Sequence, residues 1–385
     1  MRILLSSELF FPDVYGGGER FAFEVSRALV EKGNEVHVLA PRTSTAYPRR
    51  RLPACEVVEG ITVHRLKGKF QYGSALSTVP YLTRLERAAR DVIRDEKIEV
   101  VNAHAFRPCL PLFMASQRRA PCVATFHDIY SRGSVFGAEN WLRIYGLWGV
   151  PGWGLEQLIL RLPYSRVTTV SMTVRDKLSR FYDSSKIDVV YCGVDLSKFP
   201  NRRPEKVQGR ILYLGRLIQY KNVWDLIRAV DLVHSQNEQA HLVIAGSGPL
   251  SSEIAGLSKR RTYISYLGRV DENEKVKLLS EAQVLVLPSS DEGWGICLME
   301  ANAAFTPYVA YDIPAVREAT QVTQGGLLAK HRDVADLTSR IGYLLGNPEE
   351  AYRHAEDARA ILARSFSWKA VAERLEKSLL KAMAR

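Results

Sequence analysis

The sequence has no cysteine pair of any useful kind. Its five cysteines, Cys55, Cys109, Cys122, Cys192 and Cys297, are scattered, and none stands in a Cys-x-x-Cys spacing. That argues against a disulfide framework and a cysteine zinc site, and fits a reducing compartment. There is also no apolar run of membrane-spanning length. The opening MRILLSSELFFPD has a short apolar run, broken by polar residues and ending in Phe-Pro-Asp, which is not a signal peptide pattern. A cytoplasmic protein is therefore expected. No helix-turn-helix, zinc-finger or RNA-binding signature is present, so nucleic acid is not an expected partner. The dinucleotide fingerprint is missing too. It needs Gly-x-Gly-x-x-Gly in a tight turn directly after the first strand and an acid at the end of the second. Here Gly16, Gly17 and Gly18 come late, and the second strand ends Leu39-Ala40-Pro41.

The chain does have size and charge. A single core stops growing efficiently at roughly 250–300 residues, so 385 residues suggest two domains. A hydrophobic content of 46% with 25% charged residues is ordinary for a globular protein. The net charge of +11 suits an anionic partner, such as nucleotide phosphates or an anionic membrane surface. One local basic cluster stands out: Arg42, Arg49, Arg50, Arg51, Arg65, Lys67 and Lys69, against only Glu56 and Glu59. A second segment, Ser134 to Leu162, gathers Trp141, Trp148 and Trp153 with several aliphatic residues. It suits either an interface or a buried helix.

Strands and helices alternate along both halves. Arg2–Leu5, Glu35–Ala40, Glu99–Ala103, Cys122–Phe126, Arg166–Ser171 and Ile187–Tyr191 read as strands. A hairpin turns at Glu59-Gly60, and helices run over Glu19–Lys32 and Val79–Lys97. The pattern restarts with strands at Arg210–Leu214, His241–Ala245, Tyr263–Leu267, Val284–Leu287 and Pro307–Ala310. Helices at Val223–His234 and Asn273–Ala282 lie between them. Such alternation implies parallel sheets with right-handed crossovers. The expected fold class is α/β, with two doubly wound Rossmann-like domains facing a cleft. The hinge is expected in the polar, Pro-containing Lys198–Gln208.

The chemistry concentrates in a few loops. Asp291 to Ala304 places Glu292 and Glu300 on either side of Gly293-Trp294-Gly295-Ile296, where a strand ends and a helix begins. In open α/β sheets ligands bind at such strand ends. With 42 acids in the chain, this spacing alone is also what a solvated pair would give. Gly16, Gly17, Gly18 and Glu19 open a helix, where bare backbone N–H groups can approach a phosphate; the alternative is a flexible loop. Gly215, Arg216 and Leu217 with Lys221 and Asn222 offer a guanidinium fork and a point charge for phosphate oxygens, or merely two solvated cations. Gly246-Ser247-Gly248-Pro249 after a strand permits close approach of a ligand, or is a plain turn. His127 ends a central strand, as a site residue or as a hydrogen-bonded core histidine.

In this order, over essentially the whole chain, these pieces resemble the retaining nucleotide-sugar glycosyltransferases of family 4, which have the GT-B fold. Gly16-Gly17-x-Glu19 resembles the early glycine motif near the donor phosphates, and Thr125-Phe126-His127 the segment carrying the active-site histidine. Gly193-Val194-Asp195 with Phe199 resembles the end of the N-domain. Gly215-Arg216-Leu217 with Lys221 resembles the phosphate clamp, and Glu292-Gly-Trp-Gly-Ile with Glu300 the two-glutamate motif. Phe366-Ser367-Trp368 resembles the start of a last helix crossing back to the N-domain. Trp294 stands where the motif usually has Phe, and Asp312-Ile313-Pro314-Ala315 replaces the commoner Gly-Gly-x-x-Glu, with Glu318 following.

The resemblance implies an acceptor-side domain over 1–200, a donor domain over 201–366 and a returning helix over 367–385. It implies His127, Glu292, Arg216 and Lys221 as catalytic residues. Gly16, Gly17, Gly215, Gly246, Gly248, Trp294, Gly295, Ile296 and Glu300 would bind the donor. The expected reaction moves a hexose from a UDP- or GDP-linked sugar to an acceptor hydroxyl, on a glycan or a lipid-linked acceptor, with retention. No metal and no cofactor are expected, and an anionic membrane surface is a further expected partner. The rival readings are a GT-B epimerase or phosphorylase, a binding module without turnover, and a peripheral membrane scaffold. No lysine makes a case for the pyridoxal phosphate of a phosphorylase.

Overall fold

The computed structural model describes residues 1–12, 16–42, 52–67, 75–129 and 149–384; of residues 75–78 and 149 only the backbone is described. Arg49, Arg50, Arg51 and Lys69 of the basic cluster lie outside the described residues, as do residues 134–148 of the aromatic segment. The described remainder of that segment is mixed. Leu155 packs against the core, while Val150 and Leu158 are exposed.

Two compact units are present. One comprises Met1–Tyr191 and Trp368–Arg385, the other Cys192–Ser367. The crossings therefore fall at Tyr191–Cys192 and Ser367–Trp368. The polar stretch Lys198–Gln208 sits inside the second unit and is docked there. Lys206 Nζ donates to the carbonyls of Ser280 (2.9 Å) and Ala304 (3.2 Å) and to Thr306 Oγ1 (2.6 Å), and Arg203 forms a two-pronged ion pair with Glu349. Polarity marked this segment as a linker, but its polar groups are spent on long-range bonds.

The first unit holds β1 (Arg2–Ser6), β2 (Glu35–Pro41), β3 (Cys55–Val58), β4 (Ile61–Leu66), β5 (Val100–His104), β6 (Cys122–Phe126), β7 (Arg166–Thr169) and β8 (Ile187–Val189). They form one sheet in the order β3-β4-β2-β1-β5-β6-β7-β8. Every pairing is parallel except the β3/β4 hairpin. The central strands are buried along their whole length, as in a parallel sheet covered on both faces, with Asn102, His104 and Thr125 as polar members among apolar residues. Helix Gly17–Glu31 buries Phe21, Val25, Ala28 and Leu29 on one stripe, at the spacing of successive helical turns.

Helix Trp368–Met383 returns to this unit and packs on Gly17–Glu31, burying Trp368, Val371, Leu375 and Leu379. Asn34 Nδ2 donates to Glu376 Oε1 at 2.8 Å, and both Lys381 and Ser378 hold Asp188.

The second unit holds β9 (Arg210–Leu214), β10 (His241–Ala245), β11 (Ile264–Gly268), β12 (Val284–Leu287), β13 (Tyr308–Tyr311) and β14 (Gly326–Ala329). Their order is β11-β10-β9-β12-β13-β14, all parallel. In both sheets the winding reverses beside one strand: β1, flanked by β2 and β5, and β9, flanked by β10 and β12. Loops leaving the carboxyl ends there diverge and open a crevice.

Candidate functional site

In the second unit the crevice lies between the loops that leave β9 and β12. After β9 the chain runs through Gly215, Arg216 and Leu217 into a short 3-10 turn, Gln219–Lys221. Asn222 then takes the left-handed conformation, φ 46°, and opens helix Val223–Gln236. Asparagine tolerates that region because its side chain can bond locally. Here the side chain staples the two loops together. Asn222 Nδ2 donates to the carbonyl of Pro288 (2.8 Å) and to Ser290 Oγ (2.6 Å), and Ser290 N donates to the carbonyl of Tyr220 (2.9 Å).

This staple brings Lys221 against Glu292. The two form a short ion pair, with side chains only 11% and 14% exposed. Burial opposes the charge on Lys221, but the neighbouring Glu292 carboxylate outweighs it and holds the ammonium above its ordinary pKa. Arg216, on the same loop, donates from Nη2 to Tyr220 Oη at 2.7 Å, and its carbonyl accepts from Tyr213 Oη at 2.8 Å. A guanidinium and a buried ammonium thus share one loop at the mouth of the crevice.

The β12 loop ends in a helix start. Gly295 has φ 97°, which favours glycine, and leads into Ile296–Ala303, whose first N–H groups have no intrahelical partner. Glu300 lies one turn in, buried, with Oε1 2.6 Å from Lys275 Nζ. Lys275 is also 2.9 Å from Glu272. Cys297 sits beside them. Its thiol is pushed up to about 12 by burial and then by the charge of Glu292, so it is not a nucleophile at neutral pH.

Two sequence expectations acquire a different physical basis here. Gly246 and Gly248 lack side chains because of their own neighbours: a Cβ on Gly246 would lie 1.8 Å from the Gly215 carbonyl oxygen, and one on Gly248 2.4 Å from that of Leu217. Trp294 does not present its ring to the crevice. It is 2% exposed, donates from Nε1 to Met299 Sδ and lies against Phe366. Sequence reasoning missed Lys275, His331 and Arg332. His331 Nε2 is 2.9 Å from Ser290 Oγ, and Arg332 reaches Asn222 Oδ1 at 3.0 Å and Asp225 at 3.3 Å. For Lys275 and Arg332 the only sequence signal is a positive charge, which surface residues share, and His331 is a lone imidazole in a loop.

The first unit assembles the other expected residues. Gly16 caps helix Gly17–Glu31 with extended backbone, and a Cβ on Gly18 would lie 3.5 Å from His127 Cδ2. His127 follows β6 and meets Phe21 edge to face, with ring centroids 5.1 Å apart. Beneath it runs a buried polar chain. His104 Nε2 is 2.5 Å from Asn102 Oδ1, Asn102 Nδ2 donates to Thr125 Oγ1 at 2.9 Å, and Thr125 pairs with Thr168 at 2.7 Å. Among the described residues, Nε2 of His127 and Nδ1 of His104 are buried without a hydrogen-bond partner. Gly16, Gly17 and His127 are thus brought together in one unit, and Arg216, Lys221, Glu292, Gly295, Ile296 and Glu300 in the other.

Burial lowers the pKa of His127 to about 4, and burial followed by the proximity of His127 lowers that of His104 well below its ordinary value. Between an unfolded value of about 6.5 and the folded one, the native chain binds fewer protons at these rings. Stability is therefore complete above about pH 6.5 and is lost as pH falls toward 4. His127→Gln should remove on the order of 1–3 kcal/mol of the acid-limb loss. Urea midpoints at pH 7 and pH 5 check this. The same pH slope in both proteins would refute it.

A model of the Glycosyltransferase Family 4 domain matches residues 15–198, and a model described as Glycosyl transferases group 1 matches residues 196–361. The chain belongs to glycosyltransferase family 4. This glycosyltransferase is similar to glycogen synthase of Mycobacterium tuberculosis, with 29% identity over 395 residues that cover 97% of this chain and 92% of the relative. Among solved structures it matches sucrose-phosphate synthase from Thermosynechococcus elongatus, with a TM-score of 0.78, 20% identity and coverage of 98% and 97%. It also matches Anabaena HepE in complex with UDP and glucose, with a TM-score of 0.75, 17% identity and coverage of 99% of each chain. The two units of this glycosyltransferase are accordingly those of the GT-B fold, and the helix from Trp368 returns to the first unit as that fold requires.

Among the described residues no helix is long and apolar enough to cross a membrane.

Proposed function

We propose that this glycosyltransferase transfers a hexose from a UDP- or GDP-linked sugar to an acceptor hydroxyl with retention at the anomeric carbon. The observation that carries this reading is the buried Lys221–Glu292 ion pair, with Arg216 on the same loop, at the point where the second sheet reverses its winding. Cleaving the anomeric C–O bond puts negative charge on the β-phosphate. Cations fixed beforehand in a low-dielectric crevice stabilise that charge as it develops. Glu292 keeps the Lys221 ammonium charged, and Arg216 adds a planar fork for phosphate oxygens. The first N–H groups of helix Ile296–Ala303 add their dipole. In this reading the side chains do the work of a divalent ion, so none is required. Glu300 accepts the ribose hydroxyls, Glu292 a sugar hydroxyl, and His127 meets the sugar.

The complex of HepE with UDP and glucose supports a UDP-linked donor, and the similarity to a glycogen synthase supports a glycan acceptor. A lipid-linked acceptor and an anionic membrane surface remain part of the proposal through the net charge of +11.

Thermal shift and hydrolysis assays with UDP-, GDP- and ADP-linked hexoses, with and without EDTA, test the donor and the metal. Stabilisation by none of them would sink the reading, and loss of activity on chelation, restored by Mg²⁺, would overturn the metal-free part. Arg216→Ala should weaken nucleoside-diphosphate binding by about 1.5–3 kcal/mol, the scale of a charge-assisted hydrogen bond. Calorimetric titration measures it, and unchanged affinity would remove Arg216 from the clamp.

A further inference from the structure

A cluster that the proposed transfer does not use lies in the body of the first sheet. His37 on β2 and His64 on β4 stand on strands paired in parallel, with His37 opposite Thr62 and His64 opposite Leu39. The imidazoles approach head to head: His37 Nδ1 is 3.1 Å from His64 Nε2, with ring planes 14° apart and centroids 5.4 Å apart. Glu96, just beyond the end of helix Ala75–Asp95, brings a carboxylate oxygen so that all three ligand atoms lie within 4.8 Å of one another. His37 is 3% exposed, and His64 and Glu96 are half-buried.

The hydrogen bonds fix the tautomer. His37 Nε2 is 3.0 Å from Glu35 Oε1. An ionised carboxylate can only accept, so Nε2 of His37 carries the proton and Nδ1 presents a bare lone pair. That lone pair is aimed at His64 Nε2, which must carry the hydrogen that bridges the rings. A carboxylate gripping the far nitrogen of an imidazole is the usual support behind a metal-ligating histidine. It sets the tautomer and raises the basicity of the ligating nitrogen.

Two nitrogens bound to one tetrahedral Zn²⁺ at about 2.0–2.1 Å are roughly 3.3 Å apart. The observed separation of 3.1 Å is within a few tenths of an ångström of that, although the centroid distance of 5.4 Å shows the two nitrogens facing each other along one line, so the rings must turn to converge on an ion.

We propose that His37 Nδ1, His64 Nε2 and Glu96 form a divalent transition-metal site, occupied by Zn²⁺, which replaces the hydrogen bond between the two rings and lies to one side of the line joining their nitrogens, each ring turning toward it. His64 keeps its proton by moving it to Nδ1, so the ring remains neutral and both facing nitrogens donate to the ion. Water completes the tetrahedron. Two imidazoles and one carboxylate suit a borderline ion such as Zn²⁺ better than Mg²⁺ or Ca²⁺, which prefer an all-oxygen shell. The site ties β2, the hairpin strand β4 and the end of helix Ala75–Asp95 to one point. His37 is level with Leu4 inside the sheet, whereas Gly16 and His127 lie beyond the carboxyl ends of β1 and β6. The ion is therefore structural and takes no part in sugar transfer.

The test is calorimetric titration of the full chain, stripped of metal, with Zn²⁺, alongside His64→Ala, Glu96→Gln and Glu35→Gln. Wild type should bind about one equivalent and melt at a higher temperature when loaded. His64→Ala should lose this binding, and Glu96→Gln should weaken it by at least about 10-fold. Glu35→Gln, which acts only through His37, should weaken it by about 10–100-fold. Mg²⁺ should give no comparable heat. Absence of binding by the wild-type chain would overturn the proposal. So would Zn²⁺ affinity unchanged in His64→Ala, which would put the ion elsewhere.

Discussion

Replacing His127 with alanine should lower the turnover of sugar transfer by about 10²–10³-fold, the cost of removing one preorganised hydrogen-bonding group from a reacting centre. Affinity for the nucleoside diphosphate should stay within about 2-fold, because a contact made only in the transition state changes kcat and leaves ground-state binding intact. Burial lowers the pKa of His127 to about 4, and Nε2 is buried with no hydrogen-bond partner among the described residues, against Gly18 and Phe21. An unsatisfied buried nitrogen is costly to keep unless a ligand completes it. Glu300→Ala should do the reverse and mainly raise the donor KM. Steady-state kinetics at saturating acceptor separate the two. A His127→Ala enzyme with normal kcat would remove His127 from the active site, whatever the glutamates do.

Lys221→Ala should cost about 3–5 kcal/mol of stability as well as donor turnover, because it leaves the buried Glu292 carboxylate unpaired. The paired replacement Lys221→Met with Glu292→Gln should recover most of that stability, since it removes both charges, yet remain inactive. Urea unfolding of the single and double variants gives the comparison. A Lys221→Ala protein as stable as wild type would mean that the ion pair contributes nothing to the fold. An active double variant would separate the pair from catalysis.

Much of this architecture is legible in the chain. Cys122–Phe126, Arg210–Leu214, His241–Ala245 and Val284–Leu287 are strands with the boundaries that their apolar runs suggest, because a strand buried on both faces leaves an unbroken hydrophobic signature. The hairpin at Glu59-Gly60 is equally plain, with both residues at positive φ. Gly326–Ala329 escapes detection: four residues with two leucines carry too little pattern, and only pairing with β13 makes them a strand.

At the candidate site, local motifs reveal residue types but not partners. Lys221 and Glu292 read separately as a phosphate cation and a sugar-binding acid. Their pairing across distant sequence depends on the adjacency of β9 and β12, which the sequence order of the strands hides. Lys275 beneath Glu300 is invisible for the same reason. Gly246 and Gly248 read in the sequence as a turn open to a ligand; in the structure the group close to their backbone is the neighbouring loop.

The first unit is discontinuous in sequence: helix Trp368–Met383 completes a core begun by Gly17–Glu31. During synthesis the second unit therefore emerges in full before the first can close. Until then the apolar stripe of Gly17–Glu31 and the seats of Trp368, Val371, Leu375 and Leu379 stay open to solvent, where chaperones bind and aggregation starts. A chain released with Ser367 as its last residue would hold the whole second unit but lack the helix that closes the first. The later-made half is thus the first able to finish, and assembly of the earlier half waits on translation of those closing residues.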